Sequence, residues 1–263
     1  MTRRTPTLVE TDLVRPSSTV VLARAGASDP EIFMVCRHEQ SSFGSAHAFP
    51  GGVVDPQDAE VHEFCEGLSS TEANSRLGVP SGGLDYYSSA VRELFEESGV
   101  LLADLSSLDE NISAVRDALN DGSLNWAEFV TRNALSLYCD ELNYISHWVT
   151  PPNEPKRYST RFFLSKLPEG QDAEHCGGEL TESCWASATD VLAAERRGDA
   201  TLIFPTLKTL ESIARHRSLD SLLDWAKSSV EWGITSMIPR LIERDGKSEI
   251  VLPGDKDYPG SRA

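Results

Sequence analysis

Three carboxylates packed into five residues constrain this chain more tightly than any other feature. In Arg92-Glu93-Leu94-Phe95-Glu96-Glu97-Ser98-Gly99-Val100, Glu93, Glu96 and Glu97 fall at i, i+3 and i+4, and a helix stacks such positions on one face. Leu94 and Phe95 then point the other way, and with Ala90 and Val91 they form an apolar stripe that has to be buried. Like charges at that spacing destabilise a bare helix, whereas a hard divalent cation held by carboxylate oxygens reverses the sign of the interaction. Arg92, four residues before Glu96, can hold a carboxylate by a charge-assisted hydrogen bond. Asp85 is the predicted N-cap and Gly99 the predicted C′ stop. A solvated acidic face is the alternative reading. Phe49-Pro50-Gly51-Gly52 upstream weighs against it, because paired glycines permit torsions and close approaches that other residues forbid.

Around this helix the chain alternates strands and helices without strict βαβ order. Residues 18–24 and 31–37 are β-branched, apolar runs joined by a Gly26/Asp29-Pro30 turn, which predicts a hairpin or neighbouring strands. Residues 48–54 read as an extended segment broken by glycine. Residues 59–84, with Gly67, Gly78, Pro80, Gly82 and Gly83, read as a polar surface excursion holding one short helix. Further helices are expected at about 109–120, 126–137, 189–197, 205–214 (behind Pro205) and 219–230, and strands at 142–149, 161–167 and 182–186. The expected fold class is α/β (α+β), a mixed sheet sandwiched between helices, as one domain over 1–263 with a helical C-terminal extension at about 216–263. Forty per cent hydrophobic residues in 263 suffice for a core of that size.

Charge narrows the partners. Asp and Glu outnumber Lys and Arg by 41 to 24, a net charge of −17, and so negative a surface repels phosphate backbones and anionic headgroups. Nucleic-acid and membrane-surface binding are therefore disfavoured, and a small anionic substrate needs cations or a local basic patch. Arg37, Lys156, Arg157 and Arg161 are candidates for that patch. Trp148 and Phe162 are candidates to stack an adenine, or else core residues. His38, His47 and His147 lie beside these segments. The five cysteines are scattered with no CxxC pair, so they read as small buried hydrophobes and not as a disulfide framework or a zinc site. No leader segment and no run of ~18 apolar residues is visible, so a cytoplasmic location is expected.

Gly52 with Arg92-Glu93-Leu94-x-Glu96-Glu97-x-Gly99-Val100 resembles the Nudix box, GX5EX7REUXEEXGU, of the Nudix hydrolase superfamily. The second half matches at every specified position. The first half is interrupted by an insertion of 26 residues, 59–84. Counting from Gly52, Asp58 stands where the pattern has its loop glutamate, with Glu60, Glu63 and Asp85 as competitors. A box interrupted in this way is similar to that of the coenzyme A diphosphatase-like subfamily. So are Arg37-His38, Phe43-Gly44, Phe49-Pro-Gly-Gly-Val-Val-Asp-Pro56, His147-Trp148-Val-Thr-Pro-Pro152 and Thr160-Arg-Phe-Phe163. The resemblance implies a Nudix fold and Mg²⁺- or Mn²⁺-dependent cleavage of a diphosphate linkage in a nucleoside diphosphate derivative. Coenzyme A or acyl-CoA, giving 3′,5′-ADP and (acyl-)4′-phosphopantetheine, is the leading substrate. NADH, nucleotide sugars, dinucleoside polyphosphates or a non-catalytic ligand sensor are the alternatives. Carried onto this chain, the resemblance makes Glu93, Glu96 and Glu97 metal ligands and, with Arg92, catalytic residues. It makes Arg37, Gly51, Gly52 and Arg161 substrate contacts. The general base stays open between the box glutamates and Glu179 or Glu182, and a homodimer is a candidate assembly.

Overall fold

Val14–Arg24 alternates its side chains between two buried environments, and this strand, β1, organises the sheet. The computed structural model describes residues 14–37, 46–106, 108–152, 154–177, 180–244 and 246–259. After β1 come β2 (Glu31–Arg37), β3 (Ala46–Ala48), β4 (Gly51–Val53), a 3-10 segment (Pro56–Phe64), β5 (Cys65–Glu66), α1 (Ser70–Leu77) and α2 (Gly83–Ser98). Next are α3 (Ile112–Asn120), α4 (Trp126–Asn133), β6 (Leu137–Tyr138), a 3-10 turn (Cys139–Glu141), β7 (Asn143–Val149), β8 (Arg157–Lys166) and β9 (Leu180–Ser187). The chain continues with α5 (Ala188–Arg197), β10 (Thr201–Leu202), α6 (Phe204–Ile213), α7 (Leu219–Ser229), β11 (Ser236–Met237), β12 (Arg240–Arg244) and β13 (Lys247–Val251).

The main sheet runs β10-β3-β2-β1-β8-β7-β11, with β4 also on β1 and β9 also on β2. It is mixed: β1 and β8 are parallel over ten residue pairs, while β2 and β4 meet β1 antiparallel. One face packs Val20, Leu22, Phe33 and Val35 against Leu94 and Phe95 of α2, and the other packs Val21, Ala23, Ile32 and Met34 against Leu210 of α6 and Leu222 of α7. Burial on both faces explains why β1 reads as a continuous apolar run from Val20 to Ala23.

One rung crosses five strands. Ser236 lies beside His147, His147 beside Arg161, Arg161 beside Ser18, and Ser18 beside Gly52. This rung brings the glycine motif and Arg161 to the same level of the sheet.

Several expectations need correction. α2 starts before Asp85, with Gly82 in the left-handed region (φ 72°) as its N-cap and no side-chain cap. Asp85 sits in the first turn and meets His62 Nε2 at 2.7 Å. Gly99 (φ 76°) closes α2 as predicted. The interruption of the box holds more structure than its polar composition suggests. Capping boxes at Asp55 and Ser69 start the 3-10 segment and α1, and Val61, Leu68, Ala73 and Leu77 are buried in the core beneath α2. Few apolar residues were needed because Ala73 and Leu77 share one helical face.

Helix α4 ends at Asn133, where Ala134 turns left-handed (φ 46°), so Leu137 belongs to β6. β8 begins four residues earlier than expected, at Arg157. The tail is not wholly helical: beyond α7 it forms β11 and the β12–β13 hairpin. The Asp245-Gly246 pair between two strand-like runs was the sequence signal for that hairpin. Trp148 and Phe162 are buried in the core of the α6/α7 face, away from α2, and do not offer a stacking platform. Of the cysteines, which are all unbridged, Cys139 is buried and Cys184 exposed.

Candidate functional site

Arg92 is the hub of the site. Its Nε and Nη2 donate to Asp58 Oδ1 and Oδ2 at 2.9 and 3.0 Å, a two-pronged ion pair with the fully buried Asp58. Its Nη1 donates to Glu93 Oε1 at 2.8 Å and Glu96 Oε2 at 3.0 Å, and Nη2 also reaches the Val53 carbonyl at 3.0 Å. The third carboxylate, Glu97, accepts at Oε2 from the Gly51 N–H at 2.8 Å. Gly52 is required by contact: a Cβ there would lie 2.4 Å from Glu93 Oε1. Glu93 and Glu97 thus meet the Gly51–Gly52 strand, and Glu96 is joined to Glu93 through the shared Arg92 guanidinium.

Burial pushes the Glu96 carboxyl up to about 7; Arg92 opposes the shift, and the Glu93 charge adds to it. Burial also raises Asp58 against the pull of Arg92. Burial works against the charged form of Arg92, but its bonds to Asp58 and the charges of Glu93, Asp58 and Glu96 keep it ionised well above its ordinary range.

A second polar group faces α2 along the rung. The Arg161 guanidinium lies 4.2 Å over the Tyr86 ring, and its Nη1 donates to Ser159 Oγ at 3.3 Å and to His147 Nε2 at 3.4 Å. His147 Nδ1 meets Ser236 Oγ at 2.7 Å. Burial, reinforced by Arg161, lowers His147 to about 4, so it is neutral at pH 7 with its proton on Nδ1. Tyr86, Ala90, Glu93 and Glu97 follow one stripe of α2. That spacing was present in the sequence and would have joined Tyr86 to the box.

The structure brings Glu93, Glu96, Glu97, Arg92, Gly51 and Gly52 together. It gives Asp58 a partner, Arg92, while Glu60 and Glu63 are exposed and Asp85 is engaged by His62. Arg37 closes β2 and Arg161 lies on β8, with β1 between the two strands. Glu182 is exposed on β9, opposite Cys36; Glu179, His38 and Phe43-Gly44 lie outside the described residues.

Among the described residues, no three His, Cys, Asp or Glu side chains close into a ready-made metal cage. Mg²⁺ does not require one, since it keeps several waters and is typically held by one or two carboxylates plus substrate phosphates. The donor set of Glu93, Glu96 and Glu97 is all hard oxygen, and the space over Gly52 that a Cβ would fill keeps Glu93 against the strand. These residues fit Mg²⁺ or Mn²⁺.

No family model matches the chain. Among curated proteins it is 26% identical over 218 residues to the putative nudix hydrolase 7 of Caenorhabditis elegans, covering 80% of this chain and 63% of that protein. It is 24% identical over 275 residues to the acyl-coenzyme A diphosphatase NUDT19 of Xenopus laevis, covering 88% and 72%. The chain therefore spans less than two thirds of the first of these relatives. Among solved structures, a NUDIX hydrolase from Alicyclobacillus acidocaldarius superposes with a TM-score of 0.68 at 25% identity, covering 80% of this chain and 96% of that one. The chain has the Nudix fold, and it resembles the Nudix hydrolase superfamily and, within it, the coenzyme A diphosphatases.

Proposed function

We propose that this protein hydrolyses a diphosphate linkage in a nucleoside diphosphate derivative, with coenzyme A or acyl-CoA as the substrate class and Mg²⁺ or Mn²⁺ as cofactor. The observation that carries this reading is the placement of Glu93 and Glu97 against Gly51–Gly52, with Glu96 held beside Glu93 by Arg92. When bound by those carboxylates, a divalent ion supplies charge neutralisation at the phosphates, polarisation of phosphorus and a more acidic water. Arg92 fixes Glu93 and Glu96 from one side, so their rotamers are set before substrate arrives. Glu97 is held at Oε2 by the Gly51 amide. The bare backbone of Gly52 lets the Glu93 carboxylate lie directly against the strand. Asp58, sealed under Arg92, acts as a positioning residue. The named relatives that are acyl-coenzyme A diphosphatases support the choice of substrate class.

The test is a panel of coenzyme A, an acyl-CoA, NADH, a nucleotide sugar and a dinucleoside polyphosphate, each with Mg²⁺ or Mn²⁺ and products separated by chromatography. Coenzyme A should yield 3′,5′-ADP and 4′-phosphopantetheine. Cleavage of NADH with coenzyme A intact would overturn the substrate class. Binding without turnover across the panel would establish a ligand sensor instead.

A further inference from the structure

The last turn of α2 carries Glu96 and Glu97, two of the three carboxylates. A helix leaves its final carbonyls without intrahelical partners. This turn has no basic residue to answer those carbonyls or the negative end of the helix dipole. The two carboxylates add further negative charge, so local forces favour fraying. Partners come from outside the helix. The Glu96 carbonyl accepts from Arg116 Nε at 3.0 Å and from Asn120 Nδ2 at 3.1 Å. Both belong to α3 at i and i+4, so one face of α3 meets one carbonyl of α2. The Ser98 carbonyl accepts the Glu174 N–H at 2.9 Å, and Arg116 Nη2 in turn donates to the Glu174 carbonyl at 2.8 Å. Gln171 adds two bonds of 2.9 Å to the N–H and C=O of Leu101. One guanidinium therefore joins α2, α3 and the stretch at 171–174 that precedes β9.

Two further observations single out Arg116. Gly99, at φ 76°, lies against it, and a Cβ there would come 3.1 Å from Arg116 Nη1. The glycine that ends α2 thus serves the approach of the guanidinium as well as the left-handed turn. Burial lowers the pKa of this half-buried arginine, opposed by its neighbours Cys176, Asp117, Glu174 and Glu97. A cation is therefore kept where α2 is most negative. Glu97 in turn accepts the Gly51 N–H of β4, so any shift of this turn is felt at the strand. We propose that Arg116 is a positioning residue: through the Glu96 carbonyl it fixes the last turn of α2, and with it the Glu96 and Glu97 carboxylates, for a divalent ion. It acts through the main chain of α2 and not by contact with substrate. The inference rests on the diphosphatase reading above and adds to it a part for α3, which lies outside the glycine and carboxylate motifs.

The test reads metal affinity and the Glu97–Gly51 bond beside activity. Arg116→Lys keeps the charge but loses the planar fork that spans Glu96 and Glu174, and Arg116→Ala removes both. Outer partners that orient metal ligands are typically worth about 10–100-fold in metal affinity or activity. Calorimetric Mn²⁺ affinity without substrate should therefore fall about tenfold or more in both variants. Exchange of the Gly51 amide in the metal-free protein, followed by NMR, should quicken by a similar factor. With coenzyme A, kcat should fall in step while KM stays within about twofold. Asn120→Ala, the milder cut at the same carbonyl, should move Mn²⁺ affinity and Gly51 exchange in the same direction by a smaller factor. Tighter Mn²⁺ binding in Arg116→Ala with wild-type affinity in Arg116→Lys would overturn the positioning role in favour of a plain charge effect. A lower Tm with Mn²⁺ affinity and Gly51 exchange unchanged would overturn it in favour of a structural brace. Failure of the wild type to hydrolyse any diphosphate, with the losses of Mn²⁺ affinity and Gly51 protection still seen in the variants, would sink the diphosphatase reading and leave the role of Arg116 standing. No Mn²⁺ binding by the wild type would overturn both.

Discussion

Removing the Asp58 carboxylate is the sharpest test of how the site is held. Asp58 is fully buried, accepts two bonds from Arg92, and also accepts the Asp55 N–H at 2.8 Å as part of a capping box. Breaking a buried ion pair from one side costs about 3–5 kcal/mol when the survivor is left uncompensated. Arg92 is not wholly abandoned, because Glu93 and Glu96 still receive its Nη1. The loss is then closer to two charge-assisted hydrogen bonds plus a cap, and the expected cost of Asp58→Ala is ~3 kcal/mol. At roughly 2–4 °C per kcal/mol for a domain of this size, Tm should fall by about 6–12 °C. The freed fork should also let Arg92 swing, so turnover of the folded variant should drop as well. Differential scanning calorimetry of Asp58→Ala, Arg92→Ala and the double variant gives the coupling, which should exceed about 1 kcal/mol. A loss under 1 kcal/mol for Asp58→Ala, or additive single losses, would refute the claim that this pair anchors the helix.

Glu96→Gln and Glu97→Gln should each lower turnover by roughly 10²–10⁴-fold with the fold retained, checked by steady-state kinetics beside circular dichroism. Gly52→Ala forces the Glu93 carboxylate away from a Cβ that would sit 2.4 Å from its Oε1, and a displacement of that order should cost ~10²-fold in kcat/KM. Because Glu96 is raised from 4.5 to about 7 in the folded state, its contribution to stability is fully present below pH 4.5 and is lost as pH rises to about 7. At about 1.4 kcal/mol per pH decade that window caps the loss at roughly 3 kcal/mol. Metal-free thermal melts from pH 4 to 8 should show the slope, and Glu96→Gln should flatten it. Replacing residues 60–83 by a Gly/Ser linker should collapse the fold, since Val61, Leu68, Ala73 and Leu77 leave the core with it; a cooperative melt near the wild-type Tm would contradict this.

Helix α2 was legible because charge, apolar stripe and C-terminal glycine all agree on one structure over residues 85–99. Its start was not, because Gly82 caps through backbone conformation and leaves no side-chain signature. The strands of the sheet were found where apolar runs are long, as in β1 and β2, and were clipped where polar residues lead in, as at Arg157–Thr160 of β8. Gly52, Glu93, Glu96 and Glu97 could be grouped from spacing. Arg161, His147 and Tyr86 could not be joined, because the rung that unites them is set by parallel pairing of β1 and β8 across more than 140 residues.

The interruption of the box leaves Gly52 and α2 together for a reason visible in the register. Gly52 is fixed by β1 through Ser18, and α2 is tied to the same residue, whose hydroxyl donates to the Tyr86 carbonyl at 2.7 Å. Strand and helix are therefore positioned against each other by β1 as well as by the chain that links them. Asp58 comes only six residues after Gly52 and is captured by Arg92 before the inserted stretch begins. Residues 59–82 can then wander through a 3-10 segment and α1 and return at Gly83, whose N–H is received by Asn74 Oδ1 at 2.7 Å. A Cβ at Gly83 would lie 2.6 Å from the Ala73 backbone carbon. That close crossing of α1 and α2 makes the insertion part of the helix's support, while the stripe of Glu93 and Glu97 remains on the side turned to Gly51–Gly52.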